Sequence, residues 1–169
     1  MTKRLAVNEP PGLPWPLRPQ GDLPDTNVWL ALAAEEHPQH AAARAYWAGA
    51  HAGDGGDTPF LWFCRLTMLG MVRLLCQPKM VGTGALGLAR AMGVYKAFRG
   101  LPYVGLLADA EGCEERVQEL LSAAGPLQPR LWTHVYLSAL AQSAGLRVVS
   151  FDARFRIFGE EQCLILPSK

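Results

Sequence analysis

Short apolar runs alternate along the chain with longer segments in which apolar residues recur at helical spacing. Glycine, proline or polar residues bound each short run, which is typical of buried strands. The predicted strands are Phe60–Phe63, Tyr103–Leu107, Leu146–Phe151 and Cys163–Leu166. The predicted helices are Val28–Ala34, Gln39–Ala50, Cys64–Cys76, Thr83–Phe98, Glu111–Ala124 and Leu131–Ala144. Phe155–Phe158 is expected to form a turn or a short helix.

Strands that alternate with helices predict an α/β fold with three layers, in which helices flank a mostly parallel central sheet. The length of 169 residues suits one domain with a proper core, and no repeat or linker divides it. Residues 1–21 differ because they hold five of the thirteen prolines. Proline excludes helix and central strand, so we expect an extended arm at 1–21 and a single domain at 22–169.

Asp25 stands between a turn-prone lead, Gly21–Pro24, and the apolar segment that begins at Val28. Asn27 follows two residues later and could hold the carboxylate through its amide. Capping of the next helix would explain Asp25 or Thr26 equally well. A second acid with a similar context, Asp152 after Val148–Phe151, favours a site instead. In parallel sheets functional groups gather beyond the carboxyl ends of strands, where Asp109 is also predicted.

Composition narrows the class of protein. Half of the residues are hydrophobic and 18% are charged, which indicates a globular chain and not a disordered one. The net charge of +1 excludes a strongly basic protein that binds nucleic acid by bulk charge, so any phosphate-binding patch must be local.

The four cysteines lack the paired spacing of a zinc site, and we interpret them as buried thiols in a reducing cytosol. The first residues lack the apolar core of a signal peptide. No apolar run reaches the ~18 residues that a membrane span needs. We therefore expect a cytoplasmic protein that does not enter a membrane.

Five motifs occur in an order that resembles PIN-domain ribonucleases, specifically the VapC-type toxins of bacterial toxin–antitoxin pairs. They lie between about Leu23 and Leu166, and each is only moderately specific. The motifs are Leu23-Pro-Asp-Thr-Asn-Val-Trp-Leu-Ala-Leu32, His37-Pro-Gln-His40 with Trp47, Phe63-Cys-Arg-Leu-Thr-Met-Leu-Gly-Met-Val-Arg-Leu-Leu75, Leu131-Trp-Thr-His-Val-Tyr-Leu-Ser-Ala-Leu-Ala141 and Val149-Ser-Phe-Asp-Ala-Arg-Phe-Arg-Ile-Phe158.

The resemblance implies metal-dependent cleavage of RNA, with Asp25 and Asp152 as catalytic ligands of Mg²⁺ or Mn²⁺. Hard cations prefer such oxygen ligands. It also implies that Asn27 and Ser150 orient these carboxylates. The expected partners are RNA, a cognate antitoxin protein and a second copy of the chain in a homodimer.

The chain departs from the family pattern at two places. The acid that usually begins the penultimate helix falls on His134, and the acid of the helix after the second strand, near Met68–Met71, is missing. Neutral imidazole accepts Mn²⁺ more readily than Mg²⁺ and adds no negative charge. His134 is therefore interpreted as a metal ligand, a general base or a remnant in a weakened site.

Other side chains have both a functional and a structural interpretation. Asp109 matches a position that is often acidic in the subgroup, and it could be a metal ligand. It could equally begin the helix that includes Glu111. Arg73 matches an arginine of the family and could bind phosphate, as could Arg154, although solvated surface charge explains both. Four of the five tryptophans are expected in the core; they are Trp29, Trp47, Trp62 and Trp132.

The first hypothesis is thus an endoribonuclease toxin. The second is a PIN fold that no longer cleaves and binds RNA or protein, which His134 favours. A third is another metal-dependent phosphohydrolase on the same sheet, since fold does not fix substrate. Cleavage of structured RNA with Mg²⁺ and Mn²⁺ separates the first from the second.

Overall fold

The computed structural model describes residues 20–51 and 60–168. The predicted arm therefore lies outside the described residues, except for Gln20 and Gly21. The strands are β1 (Asp22–Pro24), β2 (Leu61–Cys64), β3 (Val104–Leu107), β4 (Arg147–Ser150) and β5 (Cys163–Ile165). The α-helices are α1 (Thr26–Ala33), α2 (His40–His51), α3 (Arg65–Leu75), α4 (Pro78–Val81), α5 (Leu88–Arg99), α6 (Cys113–Ala124) and α7 (Trp132–Ser143). The 3₁₀ turns are Gly82–Gly84, Pro129–Leu131, Ala153–Phe158 and Glu160–Gln162.

The five strands form one sheet in the order β3-β2-β1-β4-β5, and every pair is parallel. The predicted α/β class and parallel sheet are confirmed. Strand β1 is central, although Gly21 before it and Asp22 and Pro24 within it suggested a turn. Its pairing explains this, because Asp22, Leu23 and Pro24 lie opposite residues 147–149 of β4. Contacts across the sheet thus override a weak local preference.

Successive strand residues face opposite sides of the sheet, and helices cover both sides. Leu61 and Phe63 of β2 pack into a core with Trp29 and residues of α3 and α5. Leu23 and Val148 belong to a second core, with residues of α6 and α7. The three-layer prediction therefore holds.

Two local predictions were wrong. The helix expected from Thr83 begins at Leu88, because Pro78 starts the short helix α4 and Gly82 then adopts φ 58°, which favours glycine. Trp132 is 56% exposed and is not a core residue. It lies in the first turn of α7, where nothing on the pattern of the helix distinguished it from Trp29, which is fully buried.

The four cysteines are free, as expected, but the expected burial holds for only two of them. Cys64 and Cys113 are buried, whereas Cys76 and Cys163 are half-buried. In the described ranges, no helix has the length and apolar character to traverse a bilayer.

Candidate active site at the carboxyl edge of the sheet

Asp25 connects β1 to α1 and caps the helix. Its backbone is extended, with φ −65° and ψ 162°, and its Oδ1 accepts a hydrogen bond of 2.7 Å from the amide of Thr26. The amide of Asp25 is held by the carbonyl of Val149 at 2.8 Å, which extends the pairing of β1 with β4. Asp25 is therefore both the cap that the sequence allowed and a carboxylate fixed at the edge of the sheet.

Ser150 connects the two predicted catalytic acids. It is fully buried at the end of β4, and its hydroxyl donates to Asp25 Oδ2 at 3.0 Å. The Ser150 Oγ atom also accepts hydrogen bonds from the Asp152 amide at 3.0 Å and from Asn27 Nδ2 at 2.9 Å. The structure thus brings together Asp25, Asn27, Ser150 and Asp152, which the sequence placed at two distant junctions. Ser150 thus contacts the Asp25 carboxylate directly, whereas Asn27 contacts Ser150 and not a carboxylate, and the orienting role of both residues stays a prediction.

Burial raises the pKa of the Asp25 carboxyl, and the nearby charge of Asp152 raises it further. The hydrogen bond from Ser150 is the largest opposing effect, followed by that from Thr26 and by His134. Neither hydrogen-bond donor to Asp25 carries a charge. Ionised Asp25 therefore lacks a bonded cation within the described residues.

Asp152 has the opposite environment. Arg154 Nε lies 2.9 Å from both Asp152 oxygens, and Arg154 Nη2 contacts Oδ2. The backbone amide of Arg154 also donates to Oδ1 at 3.0 Å. The hydrogen bonds from the Arg154 side chain, followed by the bond from His134, hold the pKa of Asp152 well below its usual range. The predicted phosphate-binding arginine is thus paired with a predicted metal ligand.

His134 lies in the first turn of α7 and faces Asp152. Its Nε2 is 2.9 Å from Asp152 Oδ2, and its ring packs against Phe155 with the centroids 4.5 Å apart. Its Nδ1 is buried and has no partner among the described residues. The helix therefore delivers His134 to the site, as the motif predicted, but the histidine contacts a neighbouring carboxylate through Nε2. Its role as a metal ligand stays a prediction.

Asp109 contacts a different residue of α7, and its role as a metal ligand stays a prediction. It is exposed after β3, and its Oδ1 accepts from the hydroxyl of Tyr136 at 2.9 Å. Burial and then this hydrogen bond raise the pKa of Tyr136. Within the described ranges, the hydrogen bonds of Asp109 include none to Asp25, His134 or Asp152. The strand-end argument placed Asp109 at the correct edge but could not place it along that edge.

A cavity of about 890 Å³ opens beside Asp25. Arg73 lines it, as do Thr26 and Thr133. The wall is otherwise mainly apolar and is built by α3 and α5; it comprises Leu66, Met68, Leu69, Gly70, Val72, Leu74, Cys76, Leu88 and Met92. Arg73 is exposed and makes no ion pair in the part of the chain that the structure describes. It is thus placed to meet an anion near Asp25.

Gly70 determines how closely α3 approaches the site. A Cβ atom at this position would lie 2.7 Å from Thr26 Oγ1 and 2.8 Å from its Cγ2. Any larger residue would therefore force either the Thr26 side chain or α3 to shift. The sequence showed that α3 lacks an acid near this point but gave no signal of this close contact.

The donor set fits a divalent cation. Mg²⁺ usually retains several waters and binds through one or two carboxylates and the phosphates of its substrate. Asp25 and Asp152 are two such carboxylates, and half-buried Asp25 has no bonded cation among the described residues. Within residues 20–51 and 60–168, no three His, Cys, Asp or Glu side chains converge as a ready-made metal site. A divalent ion here would therefore depend on the two carboxylates with water and substrate, and not on a closed protein cage.

Comparison with known proteins identifies the fold and the family. The family model for the PIN domain matches residues 23–161. The chain belongs to the PIN-domain family. This PIN domain has relatives in Mycobacterium tuberculosis. Ribonuclease VapC41 is 32% identical over 139 residues, which are 80% of this chain and 91% of that protein. Ribonuclease VapC38 is 34% identical over 129 residues, 76% of this chain and 83% of that protein.

A solved structure shows the same PIN fold. It is the crystal structure of VapC20 from Mycobacterium tuberculosis, described as a toxin that cleaves the sarcin-ricin loop. The TM-score is 0.58 at 18% sequence identity, and the match covers 87% of this chain and 100% of that one. The resemblance inferred from the five motifs is therefore confirmed.

Proposed function

We propose that this PIN domain is a metal-dependent endoribonuclease, the toxin of a toxin–antitoxin pair, which hydrolyses phosphodiester bonds of RNA. One observation supports the chemistry above all: Ser150 joins Asp25 and Asp152 at the carboxyl edge of the sheet. The names of the relatives support the substrate class, because both are ribonucleases.

Asp25 and Asp152 would hold the divalent ion, which we expect to be Mg²⁺ or Mn²⁺. Such an ion, when bound, polarises the phosphate, makes water a stronger nucleophile and stabilises charge on the leaving oxygen. The protein supplies the positions of the ligands. Ser150 fixes Asp25 through its hydroxyl and the backbone of Asp152 through the amide, and Asn27 fixes Ser150.

Arg73 is the residue that we expect to bind the RNA backbone beside Asp25. It lines the same cavity and makes no ion pair within the described residues. A guanidinium suits a phosphate because its donors match two oxygens at once. His134 could complete the metal site only if Nε2 turned from Asp152, since the Nε2 atom now contacts that carboxylate.

The proposed partners are an RNA substrate and a cognate antitoxin, and the proposed assembly is a homodimer that acts in the cytoplasm. The alternative of a PIN fold that binds without cleaving depends on His134 alone. The relatives give it no support, because their names denote ribonucleases.

Cleavage of structured RNA by the purified protein tests the function. We expect products with Mg²⁺ or Mn²⁺ and none with EDTA. Asp25→Asn should remove cleavage, whereas Arg156→Gln, an exposed change outside the site, should retain it. RNA that is bound by the wild type but left intact under every metal condition would favour the binding module.

A further inference from the structure

Asp152 has no acceptor capacity left for a cation. An ionised carboxylate offers about four lone-pair sites. Four donors occupy them: the amide, Nε and Nη2 of Arg154, and Nε2 of His134. Arg154 Nε spans both oxygens. A divalent ion therefore cannot reach Asp152 while all four donors remain.

Asp25 accepts hydrogen bonds from fewer donors than Asp152 does. Within residues 20–51 and 60–168 Asp25 has two donors, the Thr26 amide and the Ser150 hydroxyl, one on each oxygen. About two lone-pair sites therefore remain open. The two carboxylates are accordingly unequal, and Asp152 must lose a donor before both can contact one ion.

Arg154 is the donor that can leave. Its side chain is 45% exposed, whereas that of His134 is 13% exposed and packs against Phe155. The Arg154 amide is fixed in the turn Ala153–Phe158, but its guanidinium can swing into solvent. An ion beside Asp152 would also repel the guanidinium, because both carry positive charge. Exchange of Arg154 for the ion needs only a side-chain rotation.

We propose that Arg154 is a built-in counter-ion of Asp152, that the divalent ion displaces it, and that the released guanidinium then binds an RNA phosphate. This inference rests on the proposed function, since it assumes that Asp152 is a metal ligand. Metal and RNA then favour each other's binding, because the ion frees a phosphate ligand and the phosphate keeps Arg154 off the carboxylate. Arg154 is thus a positioning residue that couples the two.

Titration calorimetry of chelator-treated protein with Mn²⁺ tests the displacement. Arg154→Gln should bind Mn²⁺ about fivefold more tightly than the wild type, the factor that one exposed ion pair can contribute. Arg154→Lys should lie between them, because lysine keeps the charge but loses the two-pronged contact. Arg156→Gln is the matched control. It removes the same charge two residues away, from an arginine that faces Glu160 at 4.0 Å, and should change the affinity less than twofold.

RNA binding tests the coupling. Here Arg154→Gln should weaken an effect, whereas it should strengthen the binding of Mn²⁺. The probe is a fluorescent 2′-O-methyl phosphorothioate RNA, which resists hydrolysis. In the wild type, saturating Mn²⁺ should tighten RNA binding, and in Arg154→Gln this enhancement should shrink about fivefold. A tighter metal site combined with a weaker metal effect on RNA distinguishes exchange from a purely structural role. Melting temperatures should change little, since an exposed pair stabilises weakly.

The outcomes separate the inference from the function on which it rests. Equal Mn²⁺ affinities of wild type, Arg154→Gln and Arg156→Gln would overturn the exchange but leave the metal site intact. Equal tightening by both glutamine variants would also overturn it, because charge alone would then explain the effect. If neither the wild type nor Arg154→Gln binds Mn²⁺, the inference and the proposed metal dependence both fail.

Discussion

Two aspartates bracket the central strand β1, and the fold treats them in opposite ways. At its amino end, Asp22 accepts Arg147 Nε at 3.0 Å and Nη2 at 3.1 Å, and the hydroxyl of Tyr46 at 2.8 Å. Just past its carboxyl end, the Asp25 side chain accepts, among the described residues, hydrogen bonds from one amide and one hydroxyl. The charge of Asp22 is thus compensated by Arg147, whereas ionised Asp25 is bonded by uncharged donors.

The difference separates a structural role from a functional one. Asp22 and Arg147 are direct partners in the pairing of β1 with β4, so their ion pair favours this register. The same register places Pro24 opposite Val149, and hence Asp25 beside Ser150. The carboxylate that is paired with arginine and tyrosine joins the two strands, whereas the one bonded by an amide and a hydroxyl is the metal ligand that we propose.

The largest expected effect is on the functional end. Asp25→Asn and Asp152→Asn should each lower the single-turnover cleavage rate by more than about a hundredfold, because each removes an anionic ligand of the ion. Circular dichroism should show an intact fold. Cleavage that persists in both variants would place the chemistry elsewhere and end the contrast with Asp22.

Loss of the ion pair between Asp22 and Arg147 should lower the stability of the fold. Asp22→Ala or Arg147→Ala should lower the free energy of unfolding by about 2 kcal/mol, because each leaves a partly buried charge unpaired. Chemical denaturation measures this. The double variant should lose less than the sum of the two, as expected for directly coupled residues. Additive losses would show that the pair contributes no coupling.

A negative charge can be added at the carboxyl edge of the sheet by changing His134. His134→Asp should tighten Mg²⁺ binding about tenfold, since Mg²⁺ prefers oxygen ligands and gains an anion. It should also raise any nuclease activity. His134→Asn, which has similar size but no charge, is the control for calorimetry. Equal Mg²⁺ affinity and activity in the wild type and His134→Asp would mean that position 134 does not contact the ion.

The smallest effect concerns the stability of metal-free protein. Burial raises the pKa of Asp25 above its unfolded value, about 3.9. Its contribution to stability is therefore complete below that pH and is lost as the pH rises through the folded-state pKa. In EDTA, Asp25→Asn should melt at a higher temperature than the wild type at pH 7, and the advantage should vanish near pH 3. A pH-independent difference would contradict this.

The sequence was sufficient for the parts of the site that depend on strand order. Parallel strands share a carboxyl edge, so Asp25 and Ser150 with Asp152 could be expected to meet there. The sequence was insufficient where one side chain selects among several partners. Nothing in the pattern showed that Arg154 turns back to Asp152 or that Asp109 bonds to Tyr136.

The amino end of β1 was missed for a related reason. The residues Gly21–Pro24 predict a turn around Asp22, and its partner Arg147 lies 125 residues away. An ion pair at that separation becomes visible only once the register of the two strands is known. The functional aspartate was easier to find because it stands in a motif, whereas the structural one depends on a pairing that the motif does not contain.

The link between Ser150 and Asp25 also spans 125 residues, and this has a consequence for folding. Contacts between residues so distant in sequence form slowly, because a long loop must close first. A chain folds from its amino terminus as it is synthesised. Asp25 therefore emerges without its partners, and the proposed nuclease site is absent from a nascent chain until β4 has been made and has inserted beside β1. A ribosome making this protein holds, for most of that time, a chain unable to cut RNA.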